Sequence, residues 1–500
     1  MSALRSDDDE GKIRVQLVSV DPRYAVPDAD MAVPGTLRRG GLSSVVNYLL
    51  GFSGDDDAAA AASAMDTGGL ESSSNNKQVD FDFLVDNRFL RTSISGYVRS
   101  HNVSAEELVV IHFVPRLPKP EPSPPPPPLP DWVSCLSCPP SLGGVLISAC
   151  YDGNIRLHNA IDLNPVHTLG AHAGAIRTLA CTSSGGLLAS GGLDQQLLVH
   201  EVVVGGGGGG VSKAGKTGAF KGATLAPAFN CREGHASSVE SCAWSFGDVA
   251  VGGGGGSTHT LASGDWDGKL CLWSLDAGKL GGGGGGGDAA SAKKRKTGTE
   301  AGALTAGVTT VAPKSTTKLH ASCVSGLAWS SASPNIMYSG SWDYSVKAFD
   351  ANREDVILTL NGSRVVSCLA KSSHSEVLAT GHPDCHVKLW DVRVNKSVGA
   401  VMTADDSLKP DHGAWVTGVT WDDVRPFNLA TASQDGTVKA WDVRCSLPLY
   451  TLKAHVKPGK PKAGKEEGKA LAVCYGENSN SIFSGGNDCQ VRKFTVAGGV

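Results

Sequence analysis

The chain has 500 residues, 41% of them hydrophobic and 19% charged, enough apolar material for more than one domain with its own core. A formal net charge of −4 excludes a generally basic protein that coats nucleic acid, although local basic tracts remain open. No run of eighteen apolar residues occurs, so no membrane span is predicted, and the acidic stretch Ser6–Glu10 is not a signal peptide.

Residues 1–12 read as a disordered tail. Ile13–Val20 alternates apolar and polar side chains, as a half-buried strand does. Val33-Pro34 leads to Gly41-Leu42-Ser43-Ser44 and then to the helical pattern Val45–Leu50. The segment from about 52 to 78 is rich in Gly, Asp, Ala and Ser and reads as an inserted flexible loop. Phe81–Val85 is a predicted strand, Ser95–His101 a helical turn and Glu107–Val114 a last, nearly continuous apolar strand. Strand, strand, helix, strand, short helix, strand over residues 13–114 is the order of a small α+β roll of the ubiquitin-like kind. Residues 115–130 are rich in proline and predict an extended, semi-rigid linker.

From residue 131 to 500 one pattern recurs. Leu429–Val443 reads L-A-T-A-S-Q-D-G-T-V-K-A-W-D-V, two alternating segments joined at Asp435-Gly436, which is a β-hairpin. Seven aspartates stand in register with it: Asp152, Asp194, Asp267, Asp343, Asp384, Asp435 and Asp488. Each has Ser or Thr four residues earlier, Ile, Leu or Val three residues later, and Trp, Phe or His six residues later. Such a carboxylate at a turn can accept backbone N–H bonds and join the hydroxyl and indole in a shared network. Most copies also have an upstream histidine: His172, His235, His320, His412 and His455, with Gly362-Ser363 in its place before the fifth. Units that cannot bury their own faces stack side by side, and a closed ring leaves only short edges. Seven units therefore predict a mainly β, seven-bladed propeller. Its closure is open between two candidates for the last outer strand, the proline-rich segment entering at Asp131 and the six residues after Phe494. Inserts at about 203–229, 277–316 and 456–469 read as surface loops. The second carries Lys293, Lys294, Arg295 and Lys296, a candidate nuclear import signal or else plain solvated charge.

Little in the chain points to chemistry. Gly210–Thr217 spells the phosphate-binding loop G-x-x-x-x-G-K-T, but that loop needs a following helix to aim N–H groups at phosphate, and Gly218, Gly222 and Pro227 deny it one. The aspartates and histidines recur in every unit, whereas a catalytic group is needed once, so they read as structural and the chain as no enzyme. Thirteen cysteines are scattered without metal-ligand spacing; the lone Cys135-x-x-Cys138 reads as ordinary core. No metal of its own, no cofactor and no small-molecule substrate are expected.

Trp390-Asp391, Trp441-Asp442 and Gly234-His235 resemble the signatures of WD-repeat blades, degenerate where His158 and His200 replace the tryptophan. Gly41-Leu42-Ser43 with Val46–Gly51, Asp82–Val85 with Leu90–Ser93, and Asp131–Ser134 at the propeller entry are similar to two ribosome-assembly families sharing a ubiquitin-like N-terminal domain. One is the WD-repeat subunit of the pescadillo–block-of-proliferation complex and the other is notchless; seven units rather than eight favour the first. That resemblance implies a scaffold in large ribosomal subunit biogenesis and pre-rRNA maturation, placed in nucleus, nucleolus and nucleoplasm. Its propeller would dock on the block-of-proliferation propeller protein, and through it pescadillo and the pre-ribosomal large-subunit particle. The resemblance further implies that Glu106, before the last strand of the first domain, completes the coordination of a divalent metal held by the midasin ATPase. An exposed carboxylate is a suitable hard ligand, and Glu107 is its neighbour and rival. A different reading, a substrate receptor of a cullin–RING ubiquitin ligase, rests on Trp390-Asp391-Val392-Arg393 and Trp441-Asp442-Val443-Arg444.

Overall fold

The structure, a computed structural model, describes residues 12–27, 29–52, 78–86, 88–100, 108–204, 223–245, 249–250, 257–276, 308–393, 412–445, 447–455 and 468–496. Glu106, Lys293–Lys296 and the phosphate-loop lookalike Gly210–Thr217 lie outside these residues. Among the described residues no helix is long and apolar enough to cross a membrane. The chain divides into two compact units, Met1–Pro118 and Lys119–Val500.

In the first unit, strand β1 (Lys12–Ser19) pairs antiparallel with β2 (Asp30–Pro34) and parallel with β5 (Val109–Pro115). Strand β3 (Phe81–Val85) runs antiparallel to β5 and carries β4 (Arg88–Phe89) at its edge, giving the order β2-β1-β5-β3-β4. The alternation in β1 turns Ile13, Val15 and Leu17 into the core and leaves Arg14 outside, 2.7 Å from Asp30. Helix α1 (Arg39–Leu49) lays Leu42 and Val46 on that core beside Phe81, Phe83, Ile111 and Phe113. It starts six residues before the predicted Val45, because Gly40 and Gly41 are accepted in its first turn. Its polar residues lace it to the strand after the insert: Asn47 brackets Val79 with bonds of 2.8 and 3.0 Å, and Ser43 accepts the Phe81 N–H at 3.1 Å. A second helix, α2 (Ile94–Ser100), buries Ile94, Tyr97 and Val98. These elements form a small α+β roll, in the order the sequence predicts.

The second unit holds seven sheets. Their innermost strands are Val133–Ser137, Ile176–Cys181, Val239–Trp244, Val324–Trp329, Cys368–Lys371, Val416–Trp421 and Ala470–Tyr475. Each touches the next, and the seventh touches the first, so the ring is closed. Indole donors stitch neighbouring inner strands: Trp244 to the Ala180 carbonyl at 3.0 Å, Trp329 to Ala243 at 3.0 Å and Trp421 to Ala370 at 3.2 Å. Blade 5 has three strands among the described residues; the others have at least four.

Two inserts are narrower than their composition predicts. Ala223–Cys231 is the outer strand of blade 2, since Ala223, Leu225 and Phe229 keep an inward apolar set within a Gly- and Ala-rich stretch. Thr309–Val311 adds a fifth, parallel strand to that sheet, and Ser315–Lys318 is the outer strand of blade 3.

The ring is closed by the proline-rich segment. Pro120–Pro122 pairs antiparallel with the third strand of blade 7, Val491–Val496, with Pro122 opposite Phe494 and Pro120 opposite Val496. A chain beginning at Lys119 should therefore melt cooperatively, whereas one beginning at Pro124 should be about 3 kcal/mol less stable. It loses the ladder bonds, each worth about 1 kcal/mol, and exposes the edge of blade 7. Equal midpoints in urea would show that the closure contributes nothing.

Candidate partner-binding face of the propeller

The polar network of the blades comes first, because it fixes the turns. In blade 6, Thr431 accepts the Trp441 indole N–H at 2.9 Å and bonds His412 Nε2 at 2.8 Å, while His412 Nδ1 faces Asp435 at 3.3 Å. The Asp435 carboxylate also accepts the N–H groups of Gly413 and Thr437. Burial works to raise its pKa, and these bonds together outweigh burial and hold it well below the usual range. Asp194, Asp343 and Asp488 sit equivalently with His172, His320 and His455 at 2.9, 2.9 and 2.7 Å. Asp343 is held down to about 2: burial opposes, but bonds from Ser345, His320 and the Ala321 N–H prevail. Asp152, with no histidine upstream, pairs with Arg156 of its own hairpin.

Two of the seven aspartates are corrected. In blade 3 it is Asp265, fully buried and 3.0 Å from His235, that fills the place expected of Asp267. In blade 5, Asp384 stands outside the network, 3.5 Å from Arg364, and His382 bonds Thr380 at 2.9 Å and the Val365 carbonyl at 2.8 Å. Asp265 and His382 occupy the same position, two residues before the turn aspartate and pointing into the network. Elsewhere that position holds Cys150, Gly192, Ser341, Ser433 or Gly486. An ionisable side chain there displaces the distant partner. The carboxylates stand one per blade around the ring, and among the described residues no three His, Cys, Asp or Glu side chains converge as a metal site would need. The cysteines are free, and burial pushes Cys135 and Cys138 up to about 11, so neither is a poised thiolate.

The residue after the turn aspartate is left-handed in every blade: Gly153, Gln195, Gly268, Tyr344, Cys385, Gly436 and Cys489 have φ between 60 and 86°. Its carbonyl receives the chain entering the next blade. His172 donates to Gly153 at 3.0 Å, His320 to Gly268 at 3.0 Å, Gly362 to Tyr344 at 2.7 Å and His455 to Gly436 at 2.8 Å. At the seam Leu129 donates to Cys489 at 2.7 Å, so the proline-rich segment docks in the same slot.

The residue before the turn aspartate donates its N–H back to the residue that precedes the inner strand. Tyr151 bonds Trp132, Leu193 bonds Ala175, Trp266 bonds Ser238, Trp342 bonds Cys323 and Gln434 bonds Trp415, all at 2.9–3.0 Å. Both positions therefore lie on the face that carries the turns. The exposed tryptophans of the chain, Trp132, Trp266 and Trp415, are all there, at 37, 45 and 50% exposure, with Leu193 and Tyr344 at 53 and 52%. Trp266 and Trp342 meet across blades 3 and 4, 4.9 Å apart and edge-on, while Trp132 and Tyr151 lie 5.4 Å apart within blade 1. Near the axis Arg177 donates to the Tyr151 hydroxyl at 2.7 Å and to Glu240 at 2.9 Å, tying blades 1, 2 and 3. Tyr344 is held at φ 70°, a strain that a bulky side chain rarely bears, while half its surface faces solvent. The blade turn imposes this φ, as at Gln195, Cys385 and Cys489, and Tyr344 is the one aromatic residue at that position. This aromatic crescent has the composition of an interface core rather than of ordinary surface.

Sequence reasoning missed these residues because Trp at hairpin spacing reads as core. The signal was positional: Tyr, Leu, Trp and Trp directly before four consecutive turn aspartates. The arginines behind the ubiquitin-ligase reading are engaged within their own strand ends, Arg393 on Asp391 at 2.8 Å and Arg444 on Asp442 at 2.7 Å.

A family model described as the NLE (NUC135) domain matches residues 13–98, and one described as WD domain, G-beta repeat matches 163–201, 229–274, 311–350, 354–391 and 407–442. The chain is similar to the ribosome biogenesis protein WDR12 homolog of Chlamydomonas reinhardtii, 32% identical over 504 residues, 97% of this chain and 98% of the relative. It is 26% identical over 497 residues to the protein of the same description in Oryza sativa subsp. japonica, covering 99 and 98% of the two chains. In Nematostella vectensis the figures are 26% over 491 residues, covering 97 and 99%. An N-terminal roll, seven blades closed by the segment between them, and similarity along nearly its whole length show that the chain belongs to the WDR12 family of ribosome biogenesis proteins.

Proposed function

We propose that this protein is a non-enzymatic scaffold of large ribosomal subunit assembly and pre-rRNA maturation, acting in the nucleolus and nucleoplasm. Its aromatic face grips a block-of-proliferation-type propeller protein, which brings pescadillo and the pre-ribosomal particle. Glu106 in the first unit offers a carboxylate to the metal of the midasin ATPase, and Lys293–Lys296 direct nuclear import. The observation that carries the propeller assignment is the gathering of the exposed tryptophans on one face, beside a strained and exposed Tyr344. The Glu106 assignment rests on its sequence context and the hard-ligand chemistry of a carboxylate.

Two variants of the full chain separate the assignments. Trp266→Ala should weaken binding of the block-of-proliferation-type partner at least 30-fold, about 2 kcal/mol as for an interface hot spot, and leave midasin binding alone. Glu106→Ala should do the reverse. Partner binding that stays within twofold in Trp266→Ala removes the aromatic face from the account, and midasin binding unchanged in Glu106→Ala removes the metal ligand.

A further inference from the structure

Residues 117–130 read L-P-K-P-E-P-S-P-P-P-P-P-L-P. A proline fixes its own φ near −65° and drives the residue before it out of the helical region. Where nearly every residue is a proline or precedes one, polyproline II is the conformation left, with three residues per turn. Burial along the segment has that period: Ser123, Pro126 and Leu129 are half-buried, while Pro124, Pro125, Pro127, Pro128 and Pro130 are exposed. Both ends are fixed to blade 7. Ser123 donates its N–H to the Lys493 carbonyl at 2.8 Å and its hydroxyl lies 3.2 Å from that of Thr495; Leu129 donates to Cys489 at 2.7 Å and packs near Val133 and Val491.

Edge protection explains Pro120 and Pro122, which sit in the ladder, since a strand without donors cannot template another. It does not explain Pro124–Pro128, which lie beyond the ladder. Protein grooves that read polyproline II contact two of every three residues and leave the third turned away. This ridge is mounted in that way: the pairs Pro124-Pro125 and Pro127-Pro128 face outward and the third residue of each turn faces the blade. Its conformational entropy is already lost on folding, which favours a rigid ligand. No charged side chain lies between Ser123 and Pro130, and the flanking charges, Glu121 and Asp131, are acidic. The nearest basic residue, Lys119, precedes Pro120–Pro122, which the blade 7 ladder holds, so the free ridge offers prolines with no basic neighbour and fits a neutral groove lined by tryptophan and tyrosine rings.

We propose that the Pro124–Pro128 ridge is a docking site for a second protein bearing a WW-type module, a small domain with a neutral aromatic groove. The proline-rich segment ends at Pro130, two residues before Trp132 of the aromatic face, and the docking site does not rest on Glu106. The test titrates the full-length chain with a panel of recombinant WW domains and, as the contrasting arm, SH3 domains, whose grooves read a basic residue beside the prolines. At least one WW domain should bind in the micromolar range, and the single variants Pro125→Ala and Pro128→Ala should each weaken it at least threefold. The fourfold variant P124A/P125A/P127A/P128A should weaken it at least tenfold; the single variants decide if the fourfold one melts early. No WW binding to the intact chain, binding unmoved by the single variants, or binding by SH3 domains alone would each overturn the proposal.

Discussion

Acidification from pH 6.5 to 4.5 is expected to lower the melting temperature steeply, well before the carboxylates titrate. Burial holds three imidazoles far below their usual range, His158 at about 4, His200 at about 3 and His382 at about 4, and lowers His320 as well. His158 and His200 stand where other blades carry an aromatic ring, and His382 replaces the missing upstream histidine. In the unfolded chain each of these three takes a proton near pH 6.5; in the fold none of them does until the pH is two or more units lower. Their contribution is thus complete above pH 6.5 and is lost as pH falls toward the folded values. Each proton is worth about 1.4 kcal/mol per pH unit, so three give up to about 4 kcal/mol per unit. His235 has the opposite sign: burial lowers its pKa, but the Asp265 bond outweighs burial and raises it to about 9. Its contribution is complete below pH 6.5 and fades toward pH 9, so stability should peak near pH 6.5. A melting temperature flat between pH 6.5 and 4.5 would mean that these imidazoles protonate without leaving the fold.

Gly268→Ala is the substitution expected to destabilise the propeller most. At φ 86° a side chain is strained by about 1 kcal/mol, and a Cβ there would lie 2.2 Å from the His320 carbonyl oxygen and 2.8 Å from that of Ser322. These are backbone atoms, so the turn and the next blade must part. That breaks the bonds from the Leu319 and His320 N–H groups to Gly268 and shifts His320 from Ser339 and Asp343. With about 1 kcal/mol for each of these four bonds and about 1 kcal/mol of strain, the loss is about 5 kcal/mol, read as the urea midpoint at unchanged slope. Gly153 has the same geometry against His172 and should behave alike. The opposite change, Gln195→Gly at φ 64°, should be tolerated, because relieved strain and added unfolded-chain entropy nearly cancel. A Gly268→Ala protein as stable as the parent would show that the blades are not coupled through these carbonyls.

The repeat was legible because each blade needs the same hydroxyl, carboxylate and apolar residue at fixed steps, so seven units could be counted where five match a repeat model. What spacing could not show was which neighbouring residue fills a slot. Asp265 and His382 lie two positions from the residues expected, and only the direction of their side chains reveals the exchange. Composition misled at Ala223–Cys231, where glycine and alanine nearby hide a strand. The aromatic face was invisible for the opposite reason: Trp266 and Trp415 differ from the buried Trp273 and Trp441 in position relative to the turn, not in type.

The seam joins two segments some 370 residues apart, Pro120–Pro122 and Phe494–Val496. During synthesis the first of these emerges long before its mate exists, and it must wait unpaired while six blades form. An ordinary strand left idle so long would invite mispairing or aggregation. Prolines at two of its three positions present no donor to a wrong neighbour, so the element that seals the circle last is also the one best able to stand alone until then.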